Sequence, residues 1–202
     1  MADIVSQVEE LFSDREQWTS FLELVPQSRN IQNSWWQTIQ PLMTKCFKTN
    51  NHMEGWGFVS WGLWDYKWYL TDLGDKSVNS FCLWIKEWYG NYSLALWADR
   101  NQHDLSELSR LLDDVAYSPI ISAFESPNCS FGSDSDIKLI DQGDYVFGGL
   151  KVAPRMDYLA WYAHYKPEEL VSQILEKVDR IRKNAVVTDL LRRINRETLK
   201  QS

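Results

Sequence analysis

Cysteine is scarce in this chain, and its few copies are scattered. Cys46, Cys82 and Cys129 are odd in number, and no CxxC pair exists among them. A zinc ribbon and a thioredoxin-type motif are therefore excluded. The three read as free thiols in a reducing compartment. Phosphate-binding glycine patterns are missing as well, since neither GxxxxGK[ST] nor GxGxxG occurs. No GxSxG elbow offers a serine nucleophile. His52, His103 and His164 lie too far apart in sequence to form an HExxH-type metal pair. The longest apolar run falls far short of the ~20 residues that a membrane span needs. Met1-Ala2-Asp3-Ile4 introduces an acid at once, with no continuous apolar stretch, which argues against a signal peptide. A cytoplasmic location is expected, with no membrane partner, no cofactor and no metal.

What the chain does have is aromatic residues: Trp 11, Tyr 9 and Phe 8 in 202 residues. A chain of this length buries roughly 70% of its unfolded surface, so it needs no disulfide or metal to fold. A single domain over residues 1–202 is expected. The net charge of -7 is unevenly spread. Residues 101–150 carry nine acids and two bases, a balance of -7, whereas residues 151–202 carry seven acids and eleven bases, a balance of +4. The overall acidity weighs against indiscriminate DNA binding, whose affinity comes mostly from neutralised phosphates.

Hydrophobic spacing outlines the elements. Ile4, Val5, Val8, Leu11 and Phe12 recur at helical intervals. Asp14 caps a second helix with Trp18, Phe21 and Leu22 on its inner side, and Pro26 and the polar residues to Asn30 break it. Trp35, Ile39, Leu42, Met43, Cys46 and Phe47 mark a third helix, with a kink or restart at Pro41. Residues 1–50 are thus helical. From Gly55 the period becomes two, and strands are expected over 55–64, 67–73, 79–87 and 92–98, with turns at Asp65-Tyr66, Gly74-Asp75-Lys76 and Tyr89-Gly90-Asn91. Such short turns join antiparallel neighbours, so 55–99 is a meander. Its third and fourth strands are apolar on both faces, which predicts helices on both sides of the sheet. Phe81, Leu83, Trp84, Ile85, Leu94, Leu96 and Trp97 are expected to be buried.

Asp104 and Glu107 have capping-box spacing before a helix over 104–117 that buries Leu105, Leu108, Leu111, Leu112 and Val115 and closes at Pro119. A polar loop spans 126–136. A hairpin follows over 137–152, with Gly148-Gly149 as a bulge or close backbone approach in its second strand. Helices occupy 157–199: an aromatic one, a long one opened by Pro167 with the stripe Leu170, Val171, Ile174, Leu175, Val178 and Ile181, and a last one after Asn184. The fold class is α+β: an antiparallel Trp-rich β-meander of four or more strands, flanked by N-terminal helices and a long C-terminal helical region.

Candidate site residues follow from chemistry. Trp61, Trp64 and Trp68 lie near the first turn of the sheet, where an open end presents aromatic rings to a ligand or partner. Arg192, Arg196 and Lys200 recur every four residues, with Arg193 beside them; this is either a solvated helix face or a docking stripe for an acidic partner. Because they fall near the end of the last helix, a projecting stripe apart from the acidic middle is expected. Asp134, Asp136, Asp141 and Asp144 cluster around a turn without EF-hand spacing, which is the pattern of a solvated acidic loop. Asp136-Ile137-Lys138 fits the D/E-x-K tripeptide of PD-(D/E)xK nucleases, with Glu125 or Asp114 as a second acid and Mg²⁺ between them. The tripeptide lacks that family's structural context. The leading expectation is a non-enzymatic binding protein, an inhibitor or adaptor of another macromolecule, partnered by another protein or by itself rather than by nucleic acid. A metal-dependent nuclease or phosphodiesterase is second. A small-ligand domain with an aromatic pocket is third.

Overall fold

A computed structural model describes residues 14–49, 54–73, 81–132 and 135–200. The helix expected over 3–13, the turn at 74–76, the strand start at Asn79, the Phe47 side chain, His52 and Asp134 lie outside the described residues. The helices are α1 (Arg15–Leu24), α2 (Ser28–Trp36), α3 (Ile39–Thr49), α4 (Leu105–Leu112), α5 (Ser118–Ser122), α6 (Met156–Tyr165), α7 (Pro167–Arg182) and α8 (Ala185–Thr198). The strands are β1 (Trp56–Ser60), β2 (Tyr66–Leu70), β3 (Phe81–Trp88), β4 (Asn91–Ala98), β5 (Pro127–Asn128), β6 (Ile137–Asp141), β7 (Tyr145–Phe147) and β8 (Leu150–Val152). Six strands form one antiparallel sheet in the order β1-β2-β3-β4-β6-β5. The α+β class with a Trp-rich meander is therefore what the chain adopts.

Caps explain where helices start. The Asp14 carboxylate accepts from Glu16 N–H, and Asn184 accepts from Val187 N–H, so Asn184 opens α8 as well as closing α7. The Asp104 carboxylate accepts from both Ser106 and Glu107 N–H. Glu107 does not complete the box; its carboxylate takes Arg110, and Asp104 N–H donates to Thr198 O across the molecule instead. Between α2 and α3 the helix restarts at residues 37–38, which leaves Pro41 in the first turn of α3, where a missing N–H costs nothing.

Several expectations are corrected. Trp18, Phe21 and Leu22 are exposed rather than inward, and α1 has no buried residue. The helix does end before Pro26, which sits in a 3-10 turn (Val25–Gln27), but the polar residues 28–30 open α2 instead of extending the break. Pro119 starts α5 instead of closing the preceding helix, because α4 ends at Leu112 and Asp114 caps a 3-10 turn beyond it. Val115 is 84% exposed on that turn, not buried. The hairpin over 137–152 does not form. β6 is buried along its whole length and needs partners on both sides, which β4 and β5 provide. β7 pairs with β8 alone, and Gly148-Gly149, at φ 58° and 85°, is the two-residue turn between them rather than a bulge.

Among the described residues the sheet is not sandwiched. Its inner face carries Trp56, Trp68, Leu83, Ile85, Leu94, Leu96 and Leu139. These join side chains from α3, α6, α7 and α8, such as Met43, Leu159, Ile174, Val178 and Ile194, in one core. Register places Lys67 beside Trp84, Trp84 beside Ala95 and Ala95 beside Ile140 on the opposite face. There the buried cluster is Ala95, Ile137 and Ile140, with Trp88, Trp97 and Phe131 packed on it, and no helical residue takes part. Trp84 and Trp97, expected in the core, are consequently only half-buried.

Candidate functional site

The outer face of the sheet holds the densest unusual chemistry in the molecule. Strand alternation sends Cys82, Trp84, Lys86 and Trp88 of β3 to this face. Lys67 of β2 and Trp97 of β4 are cross-strand neighbours of Trp84 and Cys82. Trp61 reaches it from the β1–β2 loop, where Trp61 N–H bonds Asp65 O and closes a five-residue connection. Lys67 Nζ lies 4.3 Å from the Trp61 ring centre, 3.9 Å from that of Trp84 and 4.9 Å from that of Trp97. Lys86 Nζ lies 4.4 Å from Trp84 and 4.6 Å from Trp88. Trp84 meets Trp88 and Trp97 edge-on, at 5.4 and 5.5 Å. An ammonium over an indole face is attracted by the ring quadrupole by about 0.5–2 kcal/mol, more as water is removed.

This arrangement sets the local electrostatics. The Lys67 side chain is buried, and burial lowers its pKa; the neighbouring Lys86 acts the same way while Asp65 opposes it. Burial in turn raises the Asp65 carboxyl, against the pull of Lys86 and Lys67. Cys82, opposite Trp97 on β4, is buried, and burial pushes its thiol up to about 12, so it stays protonated. Two buried polar atoms here, Trp84 Nε1 and Ser93 Oγ, have no hydrogen-bond partner among the described residues. Such orphan atoms are rare in native interiors.

The residues singled out from sequence divide sharply. Trp61 is 55% exposed and belongs to this face. Trp64 is half-buried against the main core, and its carbonyl accepts from the Tyr92 hydroxyl at 2.7 Å. Trp68 is fully buried on the inner face and presents no surface to a partner. Arg192 is held by Asp72 at 2.7 Å and Asp189 at 3.0 Å. Arg193 pairs with Glu197, and Lys200 Nζ donates to Arg100 O. Arg196 is exposed and has no ion-pair partner among the described residues. The end of the last helix does not project: Lys200 N–H donates to Gln102 O, and Leu199 bridges His103.

The residues of the nuclease reading are engaged in separate contacts. Asp136 is clamped by Arg100 at 3.0 Å, and Lys138 is buried with its ammonium on Ser109 Oγ. Asp114 caps a turn. Glu125 sits with Asp141 around Lys177 and Arg180; partial burial pushes its pKa up, but the bonds from Arg180 and Lys177 outweigh this and hold it below the usual range. Among the described residues no group of three or more His, Cys, Asp or Glu side chains is placed to hold a metal ion.

Lys67, Trp84, Lys86, Trp88 and Trp97 were not picked out as a site by sequence reasoning, which counted the tryptophans as core. The available signal was Lys86, a charge at period two within Cys82-Trp84-Lys86-Trp88, the mark of a half-wet face. Comparison with protein-family models, curated proteins and solved structures finds no match for this chain.

Proposed function

We propose that this chain is a non-enzymatic protein-binding module, an inhibitor or adaptor, that meets its partner through the outer face of the sheet. The carrying observation is the cluster of Trp61, Trp84, Trp88 and Trp97 around Lys67 and Lys86 on a face no described helix covers. Tryptophan dominates binding energy at protein interfaces because one rigid side chain covers much area at little entropic cost. Base stacking fits less well. The indole faces are already occupied by ammonium groups and neighbouring ring edges, whereas nucleic-acid platforms leave ring faces open. A net charge of -7 also repels phosphate. A cytoplasmic setting agrees with free thiols at Cys46, Cys82 and Cys129. No helix of the described residues is long and apolar enough to cross a membrane.

The test is a photo-cross-linking residue placed at position 88 and, as a control, at Val186 on α8, in the native host. Position 88 is expected to give one dominant light-dependent protein adduct. Trp61→Ala with Lys86→Glu should weaken it by about tenfold, equivalent to one tryptophan-sized contact. Adducts to nucleic acid, or the same adducts from both positions, overturn the reading.

A further inference from the structure

A second feature lies at the border of that face, where the Tyr89 ring stacks on Phe131 at 6.5 Å. A cavity of about 620 Å³ opens beside the β3–β4 turn, between α2, the β1–β2 loop and the start of α6. This volume is within the ~300–1,000 Å³ typical of small-molecule sites. Its walls are built by local geometry. Arg29, Gln32, Asn33 and Trp36 stand at i, i+3, i+4 and i+7 of α2, so one helical face looks into the space. The opposite wall is Glu87 at the end of β3 and Tyr89 in the turn. Tyr89 and Gly90 have φ of 53° and 82°, the two-residue turn in which Asn or Gly normally fills the first place. A tyrosine held there is strained, and its ring stands 79% exposed at the mouth. Trp64 supplies a second aromatic wall. The 154–156 segment is tied to the turn by Tyr92 N–H to Pro154 O and Met156 N–H to Gly90 O, and Trp36 Nε1 donates to Met156 O, so the cavity is framed by fixed backbone.

We infer that this cavity is a binding site for a neutral sugar. Charge excludes ionic ligands first. Arg155 and Asp157 on the rim neutralise each other through two bonds, at 3.0 and 2.6 Å. Arg29 and Glu87 are one of each sign, so the lining favours neither anion nor cation. Hydrogen-bond capacity excludes apolar ligands next. The side chains of Gln32 and Asn33 make no hydrogen bond to the described residues, and an apolar occupant would strip water from them without replacement. Each amide both donates and accepts, as each sugar hydroxyl does, and a guanidinium and a carboxylate extend the match to adjacent hydroxyls. Trp64 and Tyr89 provide apolar ring faces for the C–H side of a pyranose.

The experiment titrates the purified chain with maltotriose, cellotriose and chitotriose, read by tryptophan fluorescence and calorimetry, with glutamate and glycine betaine as charged controls. One neutral trisaccharide should bind saturably below about 10 mM, a weak but specific range. Asn33→Ala and Gln32→Ala should each weaken it by about threefold to tenfold with unchanged melting temperature, as loss of one hydrogen bond predicts. Trp88→Ala, on the sheet face, should leave it unchanged. Absence of saturable binding by all three trisaccharides, binding insensitive to Asn33 and Gln32, or preferential binding of either zwitterion overturns the inference. None of these outcomes bears on the protein-binding face.

Discussion

His103 shows how one residue couples burial to pH. It is fully buried against Phe81, with Nδ1 3.0 Å from Thr198 Oγ1. Burial lowers its pKa from 6.5 to about 4; Asp99 pulls the other way and Lys200 adds to the lowering. The unfolded chain therefore takes up this proton more readily than the native one. Stability is complete above pH 6.5 and is withdrawn as the pH falls through the interval toward 4. The full loss is about 3 kcal/mol at about 1.4 kcal/mol per pKa unit. Thermal melts from pH 7 to 4 should show the native protein losing more than His103→Gln over this window, since glutamine does not titrate. Parallel curves for the two proteins would mean that the imidazole is solvated in the folded state.

Among elements, β6 and α7 depend on an ionic contact that periodicity does not reveal. Lys177 of α7 is buried and reaches Glu125 at 3.2 Å, Gly143 O at 3.0 Å and Asp141, the last residue of β6, at 3.6 Å. Removing its charge leaves the buried Asp141 with the longer ion pair to Arg180 at 3.7 Å and the backbone N–H groups of Gly143 and Glu125. Urea unfolding of Lys177→Met is expected to show a loss of about 3 kcal/mol, the usual penalty for orphaning a buried partner. Arg193→Met, which removes an exposed, solvent-screened pair with Glu197, should cost far less. Equal effects would place the Lys177 ammonium in water. Elements with strong local signals were legible in the chain: Asp14, Asp104 and Pro167 mark helix starts, and alternating aromatics mark β1 to β4. Partners set at long range were not. β6 joins β4 across α4, α5 and β5, so nothing near residues 137–141 says which strand lies beside them. The site was half-legible for a similar reason. Trp61 falls in the strand expected over 55–64, near its open end, and stands instead in the loop after β1; whether Trp84 faces core or solvent depends on which side of the sheet the helices take.

At the scale of the whole molecule, burial is uneven. β3, β4, β6 and α7 carry much of the core, whereas α1 buries nothing. Hydrogen exchange should then give the slowest amides in β3, β4 and α7, near the global unfolding limit, and fast exchange throughout α1. Slow exchange in α1 would reveal a partner or second copy packed on it. The acidic middle and basic tail, expected to stay apart, meet in the Glu125, Asp141, Lys177 and Arg180 group. The closing strap at 198–200 has a further meaning in the order of synthesis. Gln102, His103 and Asp104 are bonded to residues nearly a hundred positions later. While the chain is being made, the start of α4 therefore waits with an unfilled backbone donor at Asp104. The native contacts of Gln102, His103 and Asp104 form only after residues 198–200 have been added.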